Sequence, residues 1–469
     1  MRLSLKLLLV LGLCFLVTIQ GYALTIPELV ESIREHHPSI QAAIAKRKQA
    51  QTAEQRAQGE FDLRLEQESY IRTSGYYHGK YLSQSVVKPL AFANAELIGR
   101  YRYGNGDFPI YENELNTQTA GESSIGLKLS LLQNRDTDKR RLGLSNAKAI
   151  LAQGLNEERL KRNKLIYDGI DAYLDWYETA AQVNTLSELV QLAKARRKGI
   201  ESSVRNGDKA SISLSEFETT LLSRQIALNE AQQKLVAAQL NLSYFWRQPT
   251  SSGAVNASAM TSQWKVPNDI GWPLFEKHLS QLNIEAWVES HPAIQDLKAE
   301  LQLAENKARL AENAYLPKLD LEVKVARDFG SGSQSLDGTE SYLGLNFSMP
   351  LERRKASAER TAAKAKVQEI EYQKQALFER LTVDIRMNLQ QLSTLKQLSQ
   401  MFEEQSTLAK RLAEQEKIRF DAGDSDQFLL NSREIAAGRA RLSAIEAKVS
   451  TLRQELKLVM LTGTLEAVL

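Results

Sequence analysis

LTVDIRMNLQQLSTLKQLSQMF (381–402) sets Leu381, Ile385, Leu389, Leu392, Leu395, Leu398 and Phe402 at steps of three and four, the spacing of one apolar stripe along an α-helix. Neither Pro nor Gly interrupts the chain from Leu351 to Arg419, so a single helix is expected across that whole span. At ~1.5 Å per residue such a helix is on the order of 100 Å long, more than an ordinary globular core needs. It stops at Phe420-Asp421-Ala422-Gly423-Asp424-Ser425-Asp426, where Gly423 suits a left-handed cap and an Asp or Ser can start the next helix. A return helix is expected from Gln427 to Met460.

Working outward, the pattern occurs twice. An earlier helical stretch from Arg135 to Ser202 meets the turn Val204-Arg205-Asn206-Gly207-Asp208, and a return helix runs from Ser211 to Trp246, with Gly207 the counterpart of Gly423. The chain is therefore an internal duplication. Ahead of each long helix stands a shorter one that opens on His-Pro: His37-Pro38-Ser39-Ile40-Gln41, running to Glu60, and His291-Pro292-Ala293-Ile294-Gln295, running to Ala314. Pro is at home in the first turn, where its missing N–H costs nothing. Short helices from Ile26 to Glu35 and from Ile284 to Glu289 precede them. No partner lies at ligand spacing from His37 or His291, so capping or packing is expected of them rather than metal binding.

Between the short and long helices the period changes to two. Leu319, Leu321, Val323 and Val325 alternate with Asp320, Glu322, Lys324 and Ala326; after a loop over Phe329 to Glu340, Leu343, Leu345, Phe347 and Met349 alternate with Gly344, Asn346 and Ser348. These are two strands with one apolar and one polar face, each near the ~9 to 11 residues of a tilted membrane-spanning strand. The first half repeats the second strand at Ile125, Leu127, Leu129 and Leu131, and has a less regular first strand over Leu63 to Ile71. The segment between them, Thr73 to Glu122, is far longer than its counterpart and holds two more extended stretches, Tyr81 to Lys88 and Ala95 to Tyr103. Tyr76, Tyr77, Tyr81, Tyr101, Tyr103 and Tyr111 crowd into it, which fits either a membrane interface or an external hairpin.

Arg2 and Lys6, an apolar run from Leu7 to Ile19 and Gly21-Tyr22-Ala23 form a secretory signal peptide, expected to be cut after Ala23; an uncleaved anchor is disfavoured because the run is short for a ~20-residue span. The one cysteine, Cys14, lies in this leader behind Leu13, where a lipoprotein signal would want a small residue. The remaining chain has no thiol or disulfide chemistry. Lys and Arg number 60 against 57 Asp and Glu, a balance that gives no reason to expect nucleic acid. With five histidines, no phosphate-binding Gly-rich loop and no HExxH, no active site, metal site or cofactor site is expected. Gly104-Asn105-Gly106 is a turn signal.

The expected organisation is a leader over 1–23 and a first repeat over 24–246, with strands within 61–132 and a helical hairpin over 135–246. A Pro-, Ser- and Ala-rich linking segment over 247–283 leads to a second repeat over 284–469, with strands within 317–349 and a hairpin over 352–461. Four clear strands cannot close a membrane barrel, since the smallest need about eight. Open edges in lipid leave backbone groups unsatisfied, so several copies must share one barrel.

The order of elements, the leader and the paired His-Pro helix starts resemble the TolC-type outer-membrane efflux protein family over essentially the whole chain after the leader. So do Tyr315-Leu316-Pro317-Lys318-Leu319 before a strand, Ser348-Met349-Pro350-Leu351 before a long helix, and the Phe420-Asp421-Ala422-Gly423 turn. Leu63 and Leu132 stand where the first half would match Pro317 and Pro350. The resemblance implies a mostly α fold with a β part: a homotrimer whose protomers give four strands each to one shared transmembrane β-barrel, continued by a periplasmic α-helical barrel. The insert from Thr73 to Glu122 either raises that strand count or caps the outer surface. The resemblance further implies a passive duct in an outer membrane. A periplasmic membrane-fusion adaptor would meet the helix-turn-helix tips and bridge to an inner-membrane efflux pump or ABC exporter.

A ring of like charges repeated threefold selects among ions, and acidic tip residues would favour cations. The tip residues expected to gate the tunnel or meet the adaptor are Arg205, Gly207, Asp208, Glu403, Glu404, Glu414, Asp421, Gly423, Asp424 and Asp426. Their plainer roles are a solvated helix face and, for Asp208, Asp424, Ser211 and Ser425, helix N-capping. The rival reading of the chain is a periplasmic coiled-coil adaptor or scaffold that never enters the membrane. The alternating, span-length strands in both halves argue against it.

Overall fold

The computed structural model describes residues 24–109, 115–247, 270, 272, 275 and 283–469. The leader, Tyr111 and most of the linking segment lie outside the described residues. The helices are α1 (Ile26–His36), α2 (Pro38–Gly59), α3 (Lys139–Arg205), α4 (Ser211–Phe245), α5 (Ile284–Ser290), α6 (Pro292–Asn313), α7 (Arg354–Asp421), α8 (Gln427–Leu461) and α9 (Leu465–Val468). The strands are β1 (Arg64–Arg72), β2 (Gly79–Pro89), β3 (Glu96–Gly106), β4 (Glu122–Ser130), β5 (Lys318–Asp328) and β6 (Thr339–Ser348). α7 forms as the absence of breakers predicts, and α3 forms as one helix although Gly143, Gly154, Gly169 and Gly199 lie within it. No helix among the described residues is long and apolar enough to cross a membrane.

The chain divides into two compact units, each drawing on both halves of the duplication. The helical unit comprises Met1–Gln41, Lys161–Trp287 and Thr382–Leu469, and the sheet unit Ala42–Leu160 and Val288–Leu381. In the helical unit, α1 starts with a capping box: the Glu28 N–H donates to Thr25 Oγ1 while Glu28 Oε2 accepts from the Thr25 N–H at 2.9 Å. Ile26, Leu29, Val30 and Ile33 are buried on one side of this helix. The large side chains of the unit's interior are Ile166, Ile170, Tyr173, Leu174 and Trp176 of α3 and Leu242 of α4.

The sheet unit is built on one six-stranded antiparallel sheet in the order β1-β2-β3-β4-β5-β6. Four clear strands per chain is thus too few. The stretches inside the long insert are full strands, with β2 paired to β1 from Val87 opposite Arg64 to Gly79 opposite Arg72, and β3 paired to β4 from Glu96 opposite Lys128 to Arg102 opposite Glu122. The two halves meet where β4 pairs with β5. Register puts the apolar residues on one face: Leu319, Leu321 and Val323 lie opposite Phe347, Leu345 and Leu343, and Leu129, Leu127 and Ile125 lie opposite Leu321, Val323 and Val325. Several of these are well exposed, Leu343 at 71% and Phe347 at 63%, so a broad apolar face lies uncovered on the single chain. The other face carries Asp320, Glu322 and Lys324, where the Ser130 hydroxyl donates to Asp320 Oδ1 at 2.8 Å and Arg102 pairs with the buried Glu122.

An Asn pair fixes the junctions between sheet and helices. The Asn134 N–H donates to Asn313 Oδ1 at 2.8 Å and Asn313 Nδ2 donates to Asn134 Oδ1 at 2.9 Å, clasping the end of β4 to the start of β5. At the other end of the sheet, the Thr119 N–H donates to the Ser331 carbonyl at 3.1 Å and the Ala120 N–H to the Phe329 carbonyl at 2.8 Å, joining two connecting loops. The tyrosines separate by face. Tyr101 and Tyr103 lie in register with the apolar face, whereas Tyr70 and Tyr81 stack at 5.3 Å on the polar one and Tyr76 and Tyr77 pack together in the β1–β2 connection.

The His-Pro starts act as caps. Nδ1 of His37 accepts from the Ser39 N–H at 3.2 Å, and Nδ1 of His291 accepts from the Ala293 N–H at 3.1 Å. Both rings are buried, and burial lowers both pKa values; nearby Arg247 and Lys161 lower that of His37 further. A folded-state pKa below the unfolded ~6.5 means that the unfolded chain takes up protons first as pH falls. This contribution to stability is complete above pH ~6.5 and is lost as pH falls below it. The thermal transition is therefore expected to stay level above neutrality and to fall in mild acid. His37→Asn with His291→Asn, which keeps a capping acceptor that does not titrate, should flatten that fall. An unchanged acid limb in the double variant would place the titration elsewhere.

Candidate functional site

The two interhelical turns lie in the helical unit and repeat one hydrogen-bond pattern. At the first, the Gly207 N–H donates to the Val204 carbonyl at 3.1 Å and the Asp208 N–H to the Ser203 carbonyl at 2.9 Å; at the second, Gly423 donates to Phe420 at 3.1 Å and Asp424 to Arg419 at 2.9 Å. This is a Schellman closure, whose left-handed residue is met by Gly207 at φ +83° and Gly423 at φ +86°. No atom lies within 4 Å of where a Cβ would sit on either glycine, so the backbone angle, not crowding, is what requires glycine here.

The caps that follow differ. α8 starts on Asp426, whose Oδ1 accepts from the Leu429 N–H at 2.7 Å, so neither Asp424 nor Ser425 is its cap. α4 starts at Ala210 with no side-chain cap, so Asp208 and Ser211 do not serve there. The two turns touch: the Lys209 ammonium lies 5.9 Å from the centre of the Phe420 ring.

The remaining expected residues are exposed along the helices leading to these turns. Arg205 pairs with Glu201 at 3.3 Å, Lys410 with Glu414 at 3.9 Å and Lys417 with Asp421 at 2.9 Å, all one helical turn apart. Exposed pairs of this kind contribute ~0.3–0.5 kcal/mol. Glu404 accepts only from the Gln400 amide, at 3.4 Å. Among the described residues no ion pair joins two of the ten, and the carboxylates of Asp208, Glu403, Glu404 and Asp424 have no cationic partner.

Two polar groups escape a reading by sequence. Glu416 is buried behind the second turn, accepts from the Ser425 hydroxyl and lies 3.7 Å from Arg419. Farther from the turn, Glu434 of α8 is ion-paired with Arg196 of α3 and lies 3.5 Å from Arg224 of α4. A groove of about 230 Å³ runs beside this cluster, floored by Leu189, Leu192, Ala437 and Gly438 and rimmed by Lys410 and Arg441. The packing there is close, since a Cβ on Gly438 would sit 2.5 Å from Leu189 Cδ1. In sequence these charges sit at helical spacing among other charges, the signature of a solvated face; only the packing of three helices buries them.

Residues 283–464 match the family model described as outer membrane efflux protein. No curated protein matches the chain. Among solved structures, the chain is similar to the outer membrane protein VceC from Vibrio cholerae, with a TM-score of 0.67 at 14% identity, covering 93% of this chain and 96% of that one. It is similar to the Campylobacter jejuni CmeC outer membrane channel, with a TM-score of 0.64 at 14% identity over 94% and 86%. The open state of the Neisseria gonorrhoeae MtrE outer membrane channel gives 0.62 at 13% identity over 93% and 88%.

Proposed function

We propose, from a chain that carries an outer membrane efflux protein domain and has the fold of TolC-type channels, that three copies form the outer-membrane exit duct of a tripartite efflux or type I secretion system. The repeats, 24–246 and 284–469, each supply strands to a shared barrel and one Gly-turned hairpin to a periplasmic tunnel. The duct does no chemistry of its own. The observation that carries this reading is the exposed apolar face of a sheet with two open edges, joined to two helical hairpins with the same closure. Unpaired edges in lipid cost several kcal/mol per backbone group, so the sheet calls for partners of its own kind.

The tips would face the inner membrane and meet a periplasmic adaptor, which bridges to the pump or ABC exporter. Of the ten tip residues, Asp208, Glu403, Glu404 and Asp424 are the best placed to bias ion flow, because among the described residues no ion pair engages their carboxylates. The test is the protein mass of the detergent-solubilised particle together with conductance in planar bilayers. Three mature chains per particle and cation-biased pores are expected, with the bias reduced when those four residues become Asn or Gln. A water-soluble particle without conductance would leave the periplasmic scaffold reading in its place.

A further inference from the structure

We infer that the β2–β3 hairpin is part of the barrel wall, so that each protomer supplies six strands and three protomers close an eighteen-stranded barrel; the inference rests on the trimeric channel reading above. A hairpin folded over the outer surface would leave β1 and β4 to pair with each other. Instead β2 is bonded to β1, β3 to β2 and β4 to β3, in one unbroken ladder. The β2–β3 turn closes tightly at the helix side of the sheet, with Ala93 and Asn94 at φ +48° and +49° and the Ser130 N–H donating to the Ala93 carbonyl at 2.9 Å. The longer connections, after β3 and β5, lie at the opposite side. Short turns on the periplasmic side and long loops outside are the habit of outer-membrane barrels.

The chemistry of the hairpin's faces agrees. Leu82, Val86, Leu97 and Tyr101 lie in register with the apolar face of β4 to β6, while Ser83, Ser85, Arg100 and Arg102 point to the polar one. Three residues of β2 on the apolar face are polar, and all are accommodated. Gln84 Nε2 donates to Gln67 Oε1 across the β1–β2 pair at 2.8 Å, and Lys80 and Lys88 stand at the two ends of β2, where a lysine reaches the interface. Strand edges remain unpaired at β1 and β6, and the β6 edge of one copy pairing with the β1 edge of the next leaves none exposed.

Size also distinguishes the two strand counts. With strands ~4.8 Å apart and tilted ~40°, eighteen enclose a backbone cylinder about 36 Å across and twelve about 24 Å. The four helices of each sheet unit, twelve in a trimer, need a ring about 35 Å across at ~9 Å spacing. The wider barrel matches that ring.

The test places single cysteines at Leu82, Val86 and Leu97, and at Ser83, Ser85 and Arg100, in a chain whose one native cysteine, Cys14, lies in the leader. Each carries a fluorophore, and the protein is reconstituted in phosphatidylcholine vesicles containing brominated lipid. The first three labels should lose fluorescence to the lipid and the second three should not. Strand counting by electron cryomicroscopy of the unmodified protein gives a second readout, with eighteen expected. A three-chain particle with twelve strands, or with all six labels unquenched, would overturn the wider barrel and leave the channel standing. A particle that fails to form trimers or to enter vesicles would overturn the channel reading, and this inference with it.

Discussion

Replacing Glu434 by Ala is expected to lower the thermal transition of the helical unit by on the order of 10 °C, from a loss of ~3–5 kcal/mol at ~2–4 °C per kcal/mol. The Glu434 and Arg224 side chains are each 8% exposed, so desolvation rather than surface screening sets the scale. Burial pulls the Arg224 pKa down and Glu434 opposes that pull, yet a guanidinium stays charged in any protein. With the carboxylate gone, Arg224 keeps the Leu189 carbonyl at 2.9 Å and the Asn431 side chain, but it faces Arg196 with no countercharge between them. Glu434→Gln retains an acceptor without the charge and should fall between wild type and Ala. Converting all three residues to Leu or Met removes the buried charges together and should recover most of the loss. A Glu434→Ala transition within a degree of wild type would mean that water already reaches the cluster.

The parts of this fold that could be read from sequence are those with a strict period or a residue-specific backbone angle. β5 and β6 were legible because Leu319 to Val325 and Leu343 to Phe347 alternate without exception, and register then had little freedom. Gly207 and Gly423 were legible because a left-handed closure penalises any side chain. β1 was blurred by Gln67 and Ser69 on the face that is apolar in the middle of β5 and β6. The stretches that became β2 and β3 could be seen as extended. Whether they joined the sheet or covered it depends on pairing with β1 and β4, which no local pattern states. At the tips, cap identity turned on a shift of one or two residues: Asp426 caps where Asp424 and Ser425 were equally plausible by type, and Ala210 occupies the other N-cap with nothing to offer. The buried Arg196, Arg224 and Glu434 were hidden for a different reason. Burial of a charge is decided by which helices meet, and sequence spacing on any one of them is the same for a wet face as for a dry one.

Leu345→Arg is expected to abolish stable insertion, while Asn346→Arg, one residue along, is tolerated. Leu345 lies in the middle of β6 opposite Leu321, 65% exposed on the single chain and within the apolar face. An arginine near the bilayer midplane of a barrel costs ~2–4 kcal/mol per chain, and three copies in one barrel bring the total to ~6–12 kcal/mol. Asn346 points to the other face and lies opposite Asp320, so an arginine there finds water and a carboxylate. Heat-resistant oligomer in the membrane fraction, quantified for both variants, checks the pair. Equal assembly would show that the face holding Leu345 is not in lipid, and the sheet would then need another cover. Loss in both would point to a requirement of the β6 edge itself, where the next copy pairs. The contrast between adjacent residues isolates the direction of the side chain, which is what distinguishes a lipid belt from a merely apolar strand.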